Sequence, residues 1–410
     1  MQRALNGADN IETGRASRAE GERMSVIYNA AQLSNTLKKR AVASRAGELR
    51  LTTELIPGRA TPFTTSVQRI PSLDGVRAIS ITLVVLSHLV QWKHVSLQVL
   101  GGYGALGVHV FFVLSGYLIT NLLLREQERT ANISLRDFYI RRAYRIFPAA
   151  FAFLAIVIVL YWQQMRWYHA AAAVLYVANM DLARPWIFGH LWSLSIEEQF
   201  YLVWPLALKK WQRHKTVILF CVLGATPVFW TILYALRVRN GLLGSLPAYA
   251  DQLAIGCLLA IFAPRIPKIR SWLAVLMLVA VFFITMYSAS SAWRSIFRLF
   301  VLAPLLNVCL AGLVLHVIQV PYWVLNWPPV AWLGRISYSL YLWQELFCSN
   351  ASLHQGYFLL VPSLACACLS YYCVEQPMLR LREKRAGTRP HEPRPASLVA
   401  RGPALDTTEA

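Results

Sequence analysis

The sequence predicts an all-α polytopic membrane protein of about ten transmembrane helices with both termini in the cytoplasm. Three observations predict it. Apolar residues make up 56% of the 410 and charged residues only 15%, whereas a soluble globular chain is about 25% charged. Long apolar runs recur at 76–92, 105–124, 147–162, 217–236, 249–263, 272–289, 296–318, 330–347 and 357–374. A span takes about 20 such residues, and the shorter runs reach that length by tilting or by borrowing polar flanks. Lysine and arginine, finally, alternate between rich and poor loops.

Residues 1–70 are polar and basic, with "LKKRAVASR" at 37–45 and no apolar leader at the start. They read as a disordered cytoplasmic extension whose middle suits an amphipathic surface helix. Residues 71–378 form the membrane domain. Its less apolar tenth segment, 193–208, carries Glu197, Glu198 and Gln199. From Leu379 to the end the chain is rich in Arg, Pro and small residues and reads as a disordered cytoplasmic tail, 379–410.

The basic loops are the extension, 125–145, 209–215, 264–270 and the tail. The loops at 93–104, 163–168, 237–248 and 348–356 are poor in Lys and Arg, with Arg237 and Arg239 diluting the contrast. The positive-inside rule puts the basic set in the cytoplasm, and two inner termini require an even number of spans. The segment 163–192 suits an interfacial or re-entrant piece or part of an extra span, and is taken to lie on the outer side.

The net charge of +20 follows from those loops and suits anionic headgroups. A nucleic-acid role would need a basic patch on a folded soluble domain, and none is evident. The seven cysteines fall mostly in apolar segments without a Cys-x-x-Cys, which signals neither zinc nor a disulfide framework. No phosphate-binding Gly-x-x-x-x-Gly-Lys loop and no His-Glu-x-x-His occurs, and Gly-x-Ser-x-Gly is absent around Ser115.

Only ten acidic residues lie between Pro71 and Glu375. Ionisable groups at membrane depth are costly and mark function or internal pairing. The short set is Arg77, His88, His109, Glu197, Glu198, Asp251, His316 and Glu345. Arg77 and His88, eleven residues apart, share a helix face at about 16 Å axial separation. They suit the two ends of one long ligand, although a neutral His88 bonded to a neighbouring helix stays open. Ser72 and Asp74 fit the start of that helix. Arg141, Arg142 and Arg145 cluster on one helix surface and suit a phosphate-bearing ligand as well as plain anchoring. Glu197 shares a face with Tyr201, while the adjacent Glu198 points about 100° away. Ser115-Gly116 reads as close helix packing.

In this order, "SLDGVRAISITLVVLSH" (72–88), "GVHVFFVLSGYLIT" (107–120), "RRAYRIFP" (141–148), "WSLSIEEQFYLVWP" (192–205), "ISYSLYLWQ" (336–344) and "VEQP" (374–377) resemble the motifs of the acyltransferase 3 family of membrane proteins. His109 stands where that family often has aspartate. The resemblance covers roughly 70–380. It implies an integral membrane O-acyltransferase of the inner (plasma) membrane. Such an enzyme moves an acyl group, most often acetyl, from acyl-CoA to a hydroxyl of an exported or cell-surface saccharide: lipopolysaccharide, exopolysaccharide or oligosaccharide. Some members acylate macrolides, and some carry a fused soluble domain for which this tail is too short. Acetyl-CoA is then a substrate and not a bound cofactor, no metal is required, and the partners are acyl-CoA, the glycan acceptor and lipid, with no nucleic acid. By that resemblance the catalytic residues are His88, as general base in a direct transfer or as carrier in an acyl-histidine relay, and Glu197, which orients His88 or binds the acceptor. Arg77, Arg141, Arg142 and Arg145 bind acyl-CoA, and Glu198, Tyr201 and His109 support the acceptor side. The reading from another class is a glycan or lipid transporter or flippase; the second half holds no convincing copy of Arg-x10-His or "RRAYR" to suggest repeated halves.

Overall fold

A computed structural model describes residues 70–90, 103–238, 244–290, 296–348 and 360–387. The extension expected at 1–70 falls outside them apart from Ile70, as does the tail beyond Gly387.

Among the described residues the protein is helical and has no strand. The major helices are α1 (Pro71–Val90), α2 (Tyr103–Thr130), α3 (Leu135–Leu160), a short α4 (Trp167–Val174), α5 (Leu191–Lys210) and α6 (Lys215–Ala235). They continue with α7 (Leu246–Phe262), α8 (Ser271–Ser290), α9 (Ala303–Gln319), a one-turn α10 (Trp323–Asn326) and α11 (Pro328–Cys348). Last, α12 (Leu360–Leu369) passes through a π-helical stretch, Ser370–Glu375, into α13 (Gln376–Gly387).

Among the described residues seven helices are long and apolar enough to cross a membrane: α1, α2, α3 and α6 to α9, each with its flanking residues. The other three segments expected to span differ in composition or build. Helices α5 and α11 have span length, with 20 and 21 residues, but carry the buried polar residues of the site. The last segment is interrupted by the π-helical stretch Ser370–Glu375, and Pro377 just past it, in α13, has no N–H to give to the helical ladder. Large apolar side chains on α6 and α8, among them Val217, Phe220, Leu276 and Phe283, face outward, as a lipid solvent requires.

The helix directions follow from their contacts. Ser72 at the start of α1 donates to Asn326 of α10 at 3.0 Å, and His88 near its end meets Gln344 of α11. Helices α1 and α11 are therefore parallel. They approach closely because Gly334 has no Cβ; one would strike the Asp74 backbone. Helix α3 is parallel to both, with Tyr338 donating to the Ile146 carbonyl at 2.9 Å. Ser134 caps α3 by accepting from the Asp137 N–H. Helices α2 and α5 run the other way, joined by Trp204 Nε1 donating to Thr120 Oγ1 at 2.8 Å. Gly116 and Gly256 let the backbones of α2 and α7 touch, the close packing read from Ser115-Gly116.

Two segments outside the expected spans are ordered. In 163–192, the short α4 and two 3₁₀ turns are clamped by a His169–Asp181 ion pair at 2.5 Å, with Trp167 at the exposed edge. At the end of the chain α13 continues past Leu379. Arg380 bonds Gln376 one turn back, and Arg385 donates to the Tyr144 hydroxyl at 2.7 Å. Those side-chain bonds give the basic segment a partner on α3.

Candidate active site

A cavity of about 750 Å³ opens between α1, α2, α3, α5 and α11. Its basic end holds Arg77 of α1, Arg142 and Arg145 of α3, and Arg335 of α11. The helical spacing that put Arg142 and Arg145 on one surface aims both inward. Tyr338, one turn past Arg335, is tied to the Ile146 carbonyl on α3, which sets Arg335 level with Arg142 across the mouth.

Glu197 is the one carboxylate in the lining among the described residues. It accepts from Ser115 Oγ at 2.5 Å, and Ser115 in turn accepts from the Tyr201 hydroxyl at 2.9 Å. The Arg142 guanidinium stacks on the Tyr201 ring, 3.4 Å from its centroid, a cation–π contact. The sequence reading of Ser115 as packing alone was incomplete: Gly116 packs, while Ser115 joins the polar chain of the cavity.

The other end of the cavity is lined largely by apolar side chains. Val108, Phe111 and Phe112 project from one face of α2, with Leu194 and Tyr341 opposite. Phe111 meets the Tyr341 ring edge-on at 6.4 Å. The Tyr341 hydroxyl donates to the His190 carbonyl at 2.9 Å and lies 2.5 Å from Ser193 Oγ.

His88 is not in the cavity lining. Its partners Gln344 and Glu345 lie three and four residues beyond Tyr341, about one helical turn further along α11. His88 Nδ1 is 2.7 Å from Gln344 Oε1 and 3.4 Å from Glu345 Oε2. Gln344 Nε2 donates to Glu345 Oε2 at 3.2 Å, so the Gln344 oxygen is the atom turned toward the imidazole. An amide oxygen only accepts, so this network assigns the proton to Nδ1 and leaves the Nε2 lone pair for a substrate. The His88 side chain keeps 27% of its surface exposed.

The structure thus corrects several expectations from sequence. Glu197 does not orient His88: α5 brings it to Ser115 and Tyr201, and α11 supplies the partners of His88. Arg141 is not with its neighbours, because its Nη2 pairs with Glu126 Oε2 at 2.9 Å, the same carboxylate that accepts the Ser134 N–H at 2.8 Å. That pair braces the α2–α3 turn. Glu198 lies outside the lining, with Oε1 buried and lacking a hydrogen-bond partner. His109 also misses the cavity, since the neighbouring Val108 takes that face of α2; its Nδ1 is buried and unpartnered.

Gln344, Arg335 and Tyr341 are the residues that sequence reasoning passed over, and Glu345 stood in the short set of ionisable residues without a role. A signal was present: Gln344 closes the "ISYSLYLWQ" motif, and Glu345 is one of the few acidic residues at membrane depth. Among the described residues no group of three or more His, Cys, Asp or Glu side chains is placed to hold a metal ion.

A bundle of apolar helices around an arginine-lined cavity, with His88 past its other end, has the build of a multi-pass membrane protein. The profile of the acyltransferase 3 family, described as an acyltransferase domain, matches residues 70–373, and the chain belongs to that family. It is 30% identical over 317 residues to the peptidoglycan O-acetyltransferase OatA of Listeria monocytogenes, covering 67% of this chain and 48% of OatA. It is 32% identical over 321 residues to YrhL of Bacillus subtilis, provisionally named a peptidoglycan O-acetyltransferase, covering 67% and 48%. A provisionally named O-acetyltransferase of Staphylococcus aureus strain COL is 30% identical over 327 residues, with 67% and 50% covered. The chain spans about half the length of these curated relatives. No solved structure matches it.

Proposed function

We propose that the protein is an O-acyltransferase of the inner membrane that moves an acetyl group from cytosolic acetyl-CoA to a saccharide hydroxyl on the outer side. The observation that carries the proposal is the alignment of an arginine-lined cavity with a histidine whose free Nε2 lies one helical turn beyond the cavity's apolar end. In this reading α5, α11 and the α12–α13 rod join the seven apolar helices to make ten spans, with both termini inside.

The steps follow from the geometry. Arg77, Arg142 and Arg145 hold the phosphates of the donor by charge-assisted hydrogen bonds. The pantetheine arm runs up the shared face of α1 and α11 toward His88, and Phe111 and Tyr341 part to admit it. The acceptor hydroxyl comes from the outer side. His88 Nε2 takes its proton as the hydroxyl oxygen bonds to the thioester carbon. The carbon–sulfur bond breaks, and the departing thiolate recovers the proton from the imidazolium. Gln344 and Glu345 keep the imidazole in the required tautomer and stabilise its transient charge. Ser115, Tyr201 and Glu197 fix Arg142 in place and do not touch the acceptor.

The acceptor class is a saccharide. The names of the relatives favour peptidoglycan as the first acceptor to try, ahead of lipopolysaccharide, exopolysaccharide or a small molecule. The test supplies acetyl-CoA labelled in the acetyl group to membranes containing the protein and candidate glycans. Label should enter the glycan fraction with wild type and be lost with His88→Ala at matched expression. Incorporation unchanged by that substitution overturns the assignment of His88, and no incorporation with either protein overturns the donor.

A further inference from the structure

Four guanidiniums line the mouth of the cavity, and three have their place in the donor site described above. Arg335 is the fourth. It differs from the others in position: Arg77, Arg142 and Arg145 are partly buried, whereas Arg335 is solvent-exposed while still lining the cavity. Its backbone is held in place. Gly334 before it lies against the Asp74 backbone of α1, where no larger residue fits, and Tyr338 one turn later is anchored to α3 by its 2.9 Å bond to the Ile146 carbonyl. Arg335 therefore stands at a fixed point on the rim, between the two helices that carry the other arginines.

The charge count around it has a consequence. Arg141 is neutralised by Glu126 at 2.9 Å and sits outside the cavity. Arg142 is stacked on Tyr201. Against the four cations of the lining stands one carboxylate, Glu197, already bonded to Ser115. A ligand with a single pyrophosphate uses the inner three. An exposed guanidinium on the rim is placed for a further phosphate that remains outside while the arm enters. A planar fork of donors suits a phosphate monoester better than an ammonium would.

Resting on the acyl-CoA reading above, we infer that Arg335 binds the 3′-phosphate of the donor's ribose, so that the enzyme distinguishes acyl-CoA from 3′-dephospho-CoA and from acyl-pantetheine donors. Arg335 is then a specificity residue at the rim, and the inner arginines are shared by every donor that has the pyrophosphate.

The test compares acetyl-CoA with 3′-dephospho-acetyl-CoA in wild type, Arg335→Gln and Arg335→Lys, purified in detergent and shown to be monodisperse. Wild type should prefer acetyl-CoA in kcat/KM by about tenfold or more, the scale of one hydrogen bond to a charged group. Arg335→Gln should bring that ratio close to one, and Arg335→Lys should restore part of it. Because the readout is a ratio within each variant, a general loss of folded protein does not imitate the result. A ratio unchanged by Arg335→Gln, or a wild type that uses both donors equally well, overturns the inference while leaving the acyl-CoA reading intact. A wild type that transfers from neither donor overturns both together.

Discussion

The two ends of the path from the cavity to His88 are built on opposite principles. At the basic end, four guanidiniums from three helices face one carboxylate, and few of these charges are paired within the lining. At the other end, a single imidazole is bonded to an amide that is bonded to a carboxylate. The first arrangement has unmet demand for anions and gains by binding one. The second holds its imidazole through Nδ1, and in the proposed reading it moves a proton through Nε2. Between them stand Phe111 and Tyr341. In the proposed reading, binding and chemistry are divided along the axis of α1: Arg77 belongs to the first end and His88 to the second, about 16 Å away.

The largest effect expected from breaking this division is at His88. His88→Ala should lower acetyl transfer by about 10²–10⁴-fold, the usual contribution of a positioned base, while donor binding by equilibrium titration stays within twofold, roughly. Comparable loss of donor binding would merge the two ends into one site. Next, Arg145→Gln should raise the KM for acetyl-CoA by about 10- to 100-fold, as removal of one charged hydrogen bond does, with kcat much less affected. A kcat collapse at saturating donor would place Arg145 in the chemistry.

A smaller effect sharpens the second end. Glu345→Gln leaves Gln344 on His88 but removes the carboxylate behind it, so kcat should fall about tenfold, or 1.4 kcal/mol, without a matching rise in donor KM. Equal changes in both parameters would mean that Glu345 acts by supporting α11 as a whole. The smallest effect is at Arg141. Because it pairs with Glu126 away from the cavity, Arg141→Gln removes no donor contact and should change donor KM by less than about twofold. A shift as large as that of Arg145→Gln would return Arg141 to the donor site.

Most of the helical segments were legible in the sequence because lipid enforces them: each apolar run of span length must satisfy its backbone internally. Arg77, Arg142, Arg145 and Glu197 were legible as lining residues because ionisable groups at membrane depth are rare enough to stand out. The helical period also placed Arg142 and Arg145 together, but it could not separate Arg141, whose pairing depends on where α2 ends and where Glu126 falls. Nor could it show that α13 holds its basic turns by reaching Tyr144 on α3.

The sequence by itself determined the membrane character, most of the helical segments and the residue types capable of phosphate binding and proton transfer. These are consequences of composition and of a fixed rise per residue, which are local. The tertiary structure alone decided which partner each polar group has. Glu197 looked like the companion of His88 because both lie at membrane depth. Yet α5 packs on α2, which gives Glu197 to Ser115, while α11 runs parallel to α1, which gives His88 to Gln344 and Glu345. The physical reason is that helix pairing is set by where small residues such as Gly334, Gly116 and Gly256 allow backbones to touch, and those contacts join residues far apart in the chain.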